Sequence, residues 1–381
     1  GRRILLEIYK DLHRQQTALA TQVKTGETLR DTVSAFTRPR LMAHFPAQPL
    51  TQLLGSNGPV HALTYSAGPS TYILTGSADR NIRLYNPART PTATGAPPTQ
   101  LIQTYAAHGY EVLALTVSPD NSTFASAGGD RAVFLWDVAT ALTIRRFGGP
   151  NGHSSRINSV SFAGEAASLL VSGSFDASVR IWDVKSGNVK PIMVLSEAGD
   201  SVSCVLAGDG EIWAGSVDGR VRKYDLRCGK VVTDVIGSPV TSLKKTKDGR
   251  GLLVGSLDNQ IRLMDAETGG LLKSYRAEGW KNDQFRMRSC FGARERWVMC
   301  GNEEVEGPDG QVIVWDTLSG EVAAKVLVPG AAAATTKRVG PDGVMKVRKN
   351  VISCVAWKGD GKGDQWCCGG ADGAVTVFGS P

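Results

Sequence analysis

The sequence predicts an all-β protein in which seven antiparallel blades form a closed ring, with an α-helical extension ahead of the first blade. Three observations lead to this prediction. A short two-strand unit recurs seven times, an aspartate returns in the turn of every copy, and the last copy lacks one strand. Because such units bury their apolar faces only against one another, an array of them determines the fold class.

Residues 169–183 (LLVSGSFDASVRIWD) form the most regular copy of the unit. A short apolar run leads into a segment rich in turn formers, and a second run then alternates small or polar residues with large apolar ones. Two such runs around a tight turn predict a β-hairpin. The same pattern, in weaker form at most positions, recurs at residues 73–86, 124–137, 212–225, 252–265, 298–316 and 366–378.

The spacing of the turn aspartates shows where the array is interrupted. These residues are Asp79, Asp130, Asp176, Asp218, Asp258, Asp309 and Asp372. Their separations of 51, 46, 42, 40, 51 and 63 residues compare with a unit of about 40–45 residues in four-stranded repeats. We therefore expect insertions at residues 87–99, 302–308 and 330–350.

The two ends of the array are expected to meet. The last copy supplies three runs, at residues 352–357, 366–368 and 374–378, whereas a short extra run at residues 50–54 precedes the first copy. A ring of antiparallel blades must cover its strand edges. We expect strand 50–54 to complete the seventh blade, so that residues 50–381 form one closed domain.

Residues 1–48 share nothing with the repeats. Apolar residues fall near a spacing of 3.6 across residues 2–24, which predicts an amphipathic helix, and a proline-containing connector follows. This helical N-terminal extension is either a partner-binding helix or an appendage to the ring.

Composition excludes several classes of function. The net charge of +7 suggests nucleic-acid binding at first, but residues 1–48 alone contribute +4, which leaves the repeats close to balance. No apolar run reaches the length that spans a bilayer. The seven cysteines contain no Cys-x-x-Cys pair and are expected to be reduced core thiols. We expect no metal site, no cofactor and no small-molecule substrate.

A recurring set of polar side chains stands out in two copies. The third copy contains His153, Ser172, Asp176 and Trp182, and the second contains His108, Ser126, Asp130 and Trp136. A carboxylate held in a turn requires hydrogen-bond donors. A Ser, His and Asp set also occurs in hydrolases, but here it recurs with the repeat and no Gly-x-Ser-x-Gly elbow is present. We therefore predict a structural role for these residues and no enzyme activity.

The Trp-Asp endings at residues 136–137, 182–183 and 315–316, with Gly-His at 152–153, resemble those of the WD40 repeat family. The resemblance covers roughly residues 50–381 and implies a seven-bladed WD40-type β-propeller in which the His, Ser, Asp and Trp side chains form buried networks. It also implies a non-catalytic protein-interaction scaffold. Family members that share its longer matching runs are associated with the spliceosome in pre-mRNA splicing, and others assemble mitogen-activated protein kinase components. A nuclear and cytoplasmic location is expected.

The candidate partner surface follows from the loops that surround the channel of such a ring. It comprises Tyr110, Glu111, Ser155, Arg156, Phe175, Val217, Leu257 and Trp280. Exposed apolar side chains grouped at one mouth would mark a binding site, whereas the alternative is that they pack against neighbouring loops. A basic loop containing Lys337, Arg338, Lys346, Arg348 and Lys349 would contact RNA phosphates or remain solvated. We expect any RNA contact to be indirect.

Overall fold

The described residues form seven four-stranded antiparallel sheets and one additional two-stranded hairpin. The computed structural model describes residues 45–89, 100–208, 210–305, 307–330, 338–339, 345–346, 349–359 and 364–380. Six sheets use consecutive strands, and the seventh joins the first strand of the chain to the last three. The prediction of an all-β ring of seven blades is confirmed. The predicted helix at residues 2–24 lies outside the described residues.

The first four blades each contain four consecutive strands. They are β2 (Val60–Tyr65), β3 (Ile73–Ser77), β4 (Asn81–Tyr85) and β5 (Leu101–Ala106); β6 (Val112–Val117), β7 (Thr123–Gly128), β8 (Val133–Asp137) and β9 (Thr143–Phe147); β10 (Ile157–Ala163), β11 (Leu169–Ser174), β12 (Val179–Asp183) and β13 (Met193–Leu195); and β14 (Val202–Ala207), β15 (Glu211–Ser216), β16 (Arg220–Asp225) and β17 (Lys230–Val235). A short 3₁₀ turn, Glu165–Ala167, lies between β10 and β11.

The remaining strands complete the ring. Blade 5 contains β18 (Val240–Lys245), β19 (Gly251–Ser256), β20 (Gln260–Asp265) and β21 (Leu271–Tyr275); blade 6 contains β22 (Cys290–Gly292), β23 (Trp297–Gly301), β24 (Gly310–Asp316) and β25 (Val322–Val328); the hairpin contains β26 (Arg338–Val339) and β27 (Met345–Lys346); and blade 7 contains β28 (Ile352–Trp357), β29 (Trp366–Gly370), β30 (Val375–Gly379) and β1 (Gln48–Leu53).

The ring closes through β1, which pairs antiparallel with β30 from Gln48 opposite Gly379 to Leu53 opposite Val375. The strand expected at residues 50–54 is thus found at Gln48–Leu53, beginning two residues earlier and ending one residue earlier. The ring also begins before residue 50. Phe45 is buried, with its ring centroid 5.6 Å from that of Trp366, and the Trp366 indole N–H donates to the carbonyl of Pro46 at 2.7 Å. Residues 45–48, assigned from the sequence to the extension, therefore belong to the propeller.

Small residues allow neighbouring blades to approach closely. A Cβ atom at Gly173 would lie 2.6 Å from Cγ1 of Val202 on the next blade, and one at Gly215 would lie 2.6 Å from Cγ1 of Val240. Since real Cβ atoms do not approach carbon this closely, only glycine lets the next inner strand pack at that distance. The same contact repeats between blades and sets their spacing.

The four strands of each blade are called a to d from the channel outward. Because they are antiparallel, strand a begins at the same end at which strands b and c are joined by a turn. We call the face of the ring formed by these ends the upper face. In six blades the register of strand a shifts after its first residue, which is a β-bulge. A bulged residue is left out of the ladder, so its polar backbone is free to bond elsewhere.

Candidate protein-interaction surface

In blade 3 the four side chains of the predicted network are joined by hydrogen bonds in series. The His153 ring lies with Nδ1 3.0 Å from Asp176 Oδ2 and Nε2 2.8 Å from Ser172 Oγ. The Trp182 indole N–H donates to the same Ser172 Oγ at 2.8 Å. Burial, partly offset by Asp176, lowers the pKa of His153. A neutral imidazole therefore donates to Asp176 and accepts from Ser172.

Blade 2 repeats this arrangement. His108 Nδ1 is 2.5 Å from Asp130 Oδ2, and its Nε2 is 2.7 Å from Ser126 Oγ, to which Trp136 donates at 2.8 Å. Both serine hydroxyls are fully buried. Because each potential nucleophile is enclosed and each histidine nitrogen is engaged, the arrangement stabilises the blade and offers no reactive group to a substrate.

Blades 1, 4 and 5 replace the histidine with an arginine four residues after the turn aspartate. Arg83 contacts Asp79 at 2.7 Å, Arg222 contacts Asp218 at 2.7 Å, and Arg262 contacts Asp258 at 2.5 Å. The sequence interpretation missed these pairs, although the spacing Asp-x-x-x-Arg at the three turns was a visible signal.

In blade 6 the turn carboxylate is Glu303. Its carboxylate oxygens accept the backbone N–H groups of Asp283, Gln284 and Phe285, at 3.2, 3.1 and 2.7 Å. Asp309, which the sequence spacing placed in this role, is exposed and accepts the N–H of Gly330 from outside the turn. The assignment of Asp309 was wrong because the insertion at residues 302–308 displaces it from the end of β23.

The upper face exposes part of the predicted partner surface. Tyr110 is 64% exposed, Phe175 51% and Val217 38%, whereas Leu257 is half-buried. The Arg156 guanidinium lies 4.9 Å from the Phe175 ring centroid, a cation–π contact that holds the ring at the surface. Glu111 lies 3.8 Å from His61, and Ser155 is half-buried beside Arg156.

Trp280 does not belong to this surface. Its side chain is buried, and the indole N–H donates to the carbonyl of Gly301 at 2.7 Å while the ring packs edge-on against Trp315. The prediction of an exposed anchor was wrong because the loop after blade 5 folds Trp280 into the core of blade 6.

Two arginines that the sequence interpretation did not single out cross the central channel. They precede β22 in blade 6. Arg286 donates to the carbonyl of Asn158 in blade 3, and Arg288 donates to the carbonyl of Leu113 in blade 2, both at 2.7 Å. Asn158 and Leu113 are the bulged residues of their strands. The arginines thus satisfy carbonyls that the bulges free from the ladder.

A pocket of about 640 Å³ opens at the upper mouth of this channel, between blades 1, 6 and 7. We call it the mouth pocket. Its apolar wall includes Pro59, Phe285 and Val351, and Arg286 lies at its inner end. Phe285 is 51% exposed. The pocket is a concave site lined by apolar, cationic and acidic side chains, the acids being Glu303 and Glu304.

The basic loop is only partly within the described residues. Arg338 and Lys346 are backbone partners in the register of the β26–β27 pair, and Lys349 is exposed and lines the mouth pocket. Lys337 and Arg348 lie outside the described residues. The prediction that this loop contacts RNA remains a prediction.

All seven cysteines are free, and only Cys228 is exposed. Burial raises the pKa of the Cys290 thiol to about 12 and that of Cys354 to about 11. Among the described residues, no group of three or more metal-ligating side chains is present. The described part of the chain also contains no helix that could span a membrane.

Comparison with known proteins defines the class to which this fold belongs. The chain matches the family model "WD domain, G-beta repeat" over residues 47–86, 99–137, 144–183 and 229–265. It therefore belongs to the WD-repeat β-propeller family.

Within the family the chain is similar to WD repeat domain-containing protein 83. It is 41% identical to the Rattus norvegicus protein over 290 residues, 76% of this chain and 85% of the relative. It is 41% identical to the Homo sapiens protein over 278 residues, 73% and 82%, and 28% identical to the Dictyostelium discoideum homolog over 302 residues, 72% and 86%. The similarity spans most of the propeller.

Proposed function

We propose that the protein is a non-catalytic scaffold that holds partner proteins on the upper face of its propeller and acts in pre-mRNA splicing, in the nucleus with a cytoplasmic fraction. The observation that carries the scaffold role is the grouping of exposed Tyr110, Phe175 and Phe285 around one channel mouth. Aromatic side chains are enriched among the residues that dominate protein interfaces. The enclosed Ser126 and Ser172 support the absence of catalysis.

The splicing context is supported by the similarity to WD repeat domain-containing protein 83 across the ring and by the family resemblance in the sequence. The runner-up is a cytoplasmic scaffold for mitogen-activated protein kinase components, supported by the same resemblance. Both roles use a rigid surface that binds several proteins at once. The two roles predict different partners in the cell, splicing proteins for the first and kinase-cascade components for the second.

Affinity purification from cells tests this proposal. We expect the full chain to recover splicing proteins and small nuclear RNAs, and we expect the proteins to remain after ribonuclease treatment because the contacts are to protein. Recovery of kinase-cascade components without splicing proteins would overturn the leading proposal in favour of the runner-up. Loss of every partner on ribonuclease treatment would instead indicate a direct RNA-binding propeller.

A further inference from the structure

The mouth pocket combines cationic side chains with few available anions. Arg286 lies at its inner end, and Lys281 and Lys349 lie on its walls. Within the described part of the chain, neither Arg286 nor Arg288 has an acidic side chain within salt-bridge distance. Two cations without an acidic partner among the described residues thus extend into the channel from the same segment of blade 6.

The hydrogen-bonding capacity of Arg286 is incompletely used. One terminal nitrogen donates to the carbonyl of Asn158, but its buried Nε–H has no partner among the described residues. Burial and the nearby Arg288 lower the pKa of Arg286 to about 9, so the guanidinium remains charged at neutral pH. A buried, charged donor without a partner is costly unless a ligand supplies an acceptor.

The acidic residues of the pocket do not neutralise these cations. The Glu303 carboxylate accepts three backbone N–H groups from residues 283–285. Lys281 is 3.8 Å from Asp283, and Glu304 is exposed at the rim. A single carboxylate can therefore approach Arg286 and Lys349, whereas a phosphate dianion or an RNA strand would meet stronger repulsion from Glu303 and Glu304.

The apolar wall indicates what accompanies the carboxylate. Pro59, Phe285 and Val351 line the pocket together with its charged residues, and half of the Phe285 surface is accessible. A volume of about 640 Å³ falls within the range of roughly 300–1,000 Å³ that is typical of ligand pockets. Such a pocket fits a short peptide segment with one acidic and one adjacent apolar side chain.

We propose that the mouth pocket binds a segment of a partner protein by placing an Asp or Glu carboxylate against Arg286 and Lys349 and an apolar side chain against Phe285. This inference rests on the proposed scaffold function and names the chemistry by which the scaffold selects one of its partners.

Selection of a phage-displayed library of random peptides on the full chain tests the inference. We expect the selected peptides to share an acidic residue next to an aromatic or aliphatic one. Fluorescence anisotropy with the labelled consensus peptide should show binding at least about tenfold weaker for Arg286→Gln and Lys349→Gln, because a charged pair at the pocket is broken. Replacing the acidic residue of the peptide with its amide should weaken binding equally.

Lys230→Gln serves as the matched control, since Lys230 is an exposed residue at the start of β17 on an outer strand and should leave binding unchanged. Arg286 also supports blade 3, so the melting temperature of each variant is measured in parallel. If Arg286→Gln unfolds, the surface variant Lys349→Gln decides the test alone.

Peptides without a shared acidic residue, or unchanged binding by Lys349→Gln, would overturn the inference. A single-stranded RNA or a phosphorylated peptide that binds the pocket more tightly than the acidic peptide would also overturn it. If the wild-type chain and both pocket variants recover the same splicing proteins from nuclear extract, the scaffold function stands and this inference fails. If the wild-type chain recovers none, the scaffold function fails independently of the peptide result.

Discussion

The turn carboxylate is a partly buried acid in blades 1 to 6, and the structure provides donors to it in three ways. A histidine donates to it in blades 2 and 3, an arginine donates to it in blades 1, 4 and 5, and three backbone N–H groups donate to Glu303 in blade 6. Each solution satisfies a partly buried charge, and removal of one partner leaves that charge without compensation. The fold therefore requires donors at this position but not one particular side chain.

At Asp218 the contribution of these donors to stability can be measured from its pH dependence. Burial opposes its ionisation, but hydrogen bonds from Arg222, Ser216 and the N–H of Gly199 outweigh burial and hold the pKa of Asp218 at about 2, below the ordinary value of 3.8. A folded-state pKa below the unfolded value contributes stability that is present above about pH 4 and is lost as the pH falls toward about 2.

We expect Asp218→Asn to lower the free energy of unfolding by on the order of 1 kcal/mol at pH 7, with a difference that shrinks below pH 4. Melting temperatures measured from pH 7 to pH 3 check this. Glu267→Gln, which changes an exposed carboxylate on blade 5, should leave the pH dependence of the wild type intact. A difference that stays constant down to pH 3 would contradict the assigned role of Arg222.

The residues that sequence could place are those with a motif. His153, Ser172, Asp176 and Trp182 were assigned because the third repeat resembles a WD40 repeat, in which these residue types occur in this order. Glu303 could not be found in this way, since an insertion moved the aspartate of the motif out of register and left a different acid at the end of β23. A single sequence does not reveal an acid that occupies the same place in the blade at a different spacing along the chain.

At the scale of the element, closure depends on β1. It covers the edge of β30, which would otherwise expose unpaired backbone groups, and it inserts Leu53 into the core of blade 7. Leu53 is 1% exposed, whereas the next residue, Leu54, is 58% exposed. Adjacent leucines on opposite sides of one strand end therefore provide a matched pair for testing the closure.

We expect Leu53→Ala to lower the free energy of unfolding by about 2–5 kcal/mol, because a buried leucine is removed from a packed core. Leu54→Ala should change it by less than about 0.5 kcal/mol, as is usual for surface substitutions. Calorimetric melting of both variants provides the measurement. Equal melting temperatures would mean that β1 does not hold the ring closed.

The position of β1 was predictable because a missing strand at one end of the array matched an extra run at the other. The loop after blade 5 was not predictable to the same degree. Trp280 lies in a polar segment, which favoured an exposed anchor, yet its indole finds an acceptor in Gly301 and a ring partner in Trp315. Trp280 is buried because of these tertiary contacts, which the local sequence does not reveal.

At the scale of the whole molecule, seven copies of one unit were sufficient to predict the ring. The contents of the channel were not predictable, because Arg286 and Arg288 bond to blades 3 and 2, more than 100 residues away in sequence. Only ring closure brings blade 6 opposite those bulged carbonyls. The mouth pocket is likewise a product of closure, since blades 1, 6 and 7 come from both ends of the chain.

A propeller has two distinct kinds of exposed apolar residue, and the scaffold function predicts that they are not equivalent. Tyr110 and Phe175 lie on the upper face around the channel, whereas Ile144 and Leu271, 49% and 58% exposed, lie on the outer strands β9 and β21. Scattered apolar residues on an outer edge are normal for a soluble protein, but aromatics grouped at one mouth are typical of a binding surface.

We expect the double variant Tyr110→Ala with Phe175→Ala to recover at least about tenfold less partner protein than the wild type in quantitative purification from cells. The reason is that aromatic anchors dominate interface energies. Ile144→Ala with Leu271→Ala removes comparable exposed apolar surface from the circumference and should recover partners at the wild-type level. Both double variants should melt close to the wild type, since all four side chains are largely solvent-exposed. Equal recovery by the two variants would move the binding surface away from the upper face, whereas loss by the circumference variant alone would place it on the outer strands.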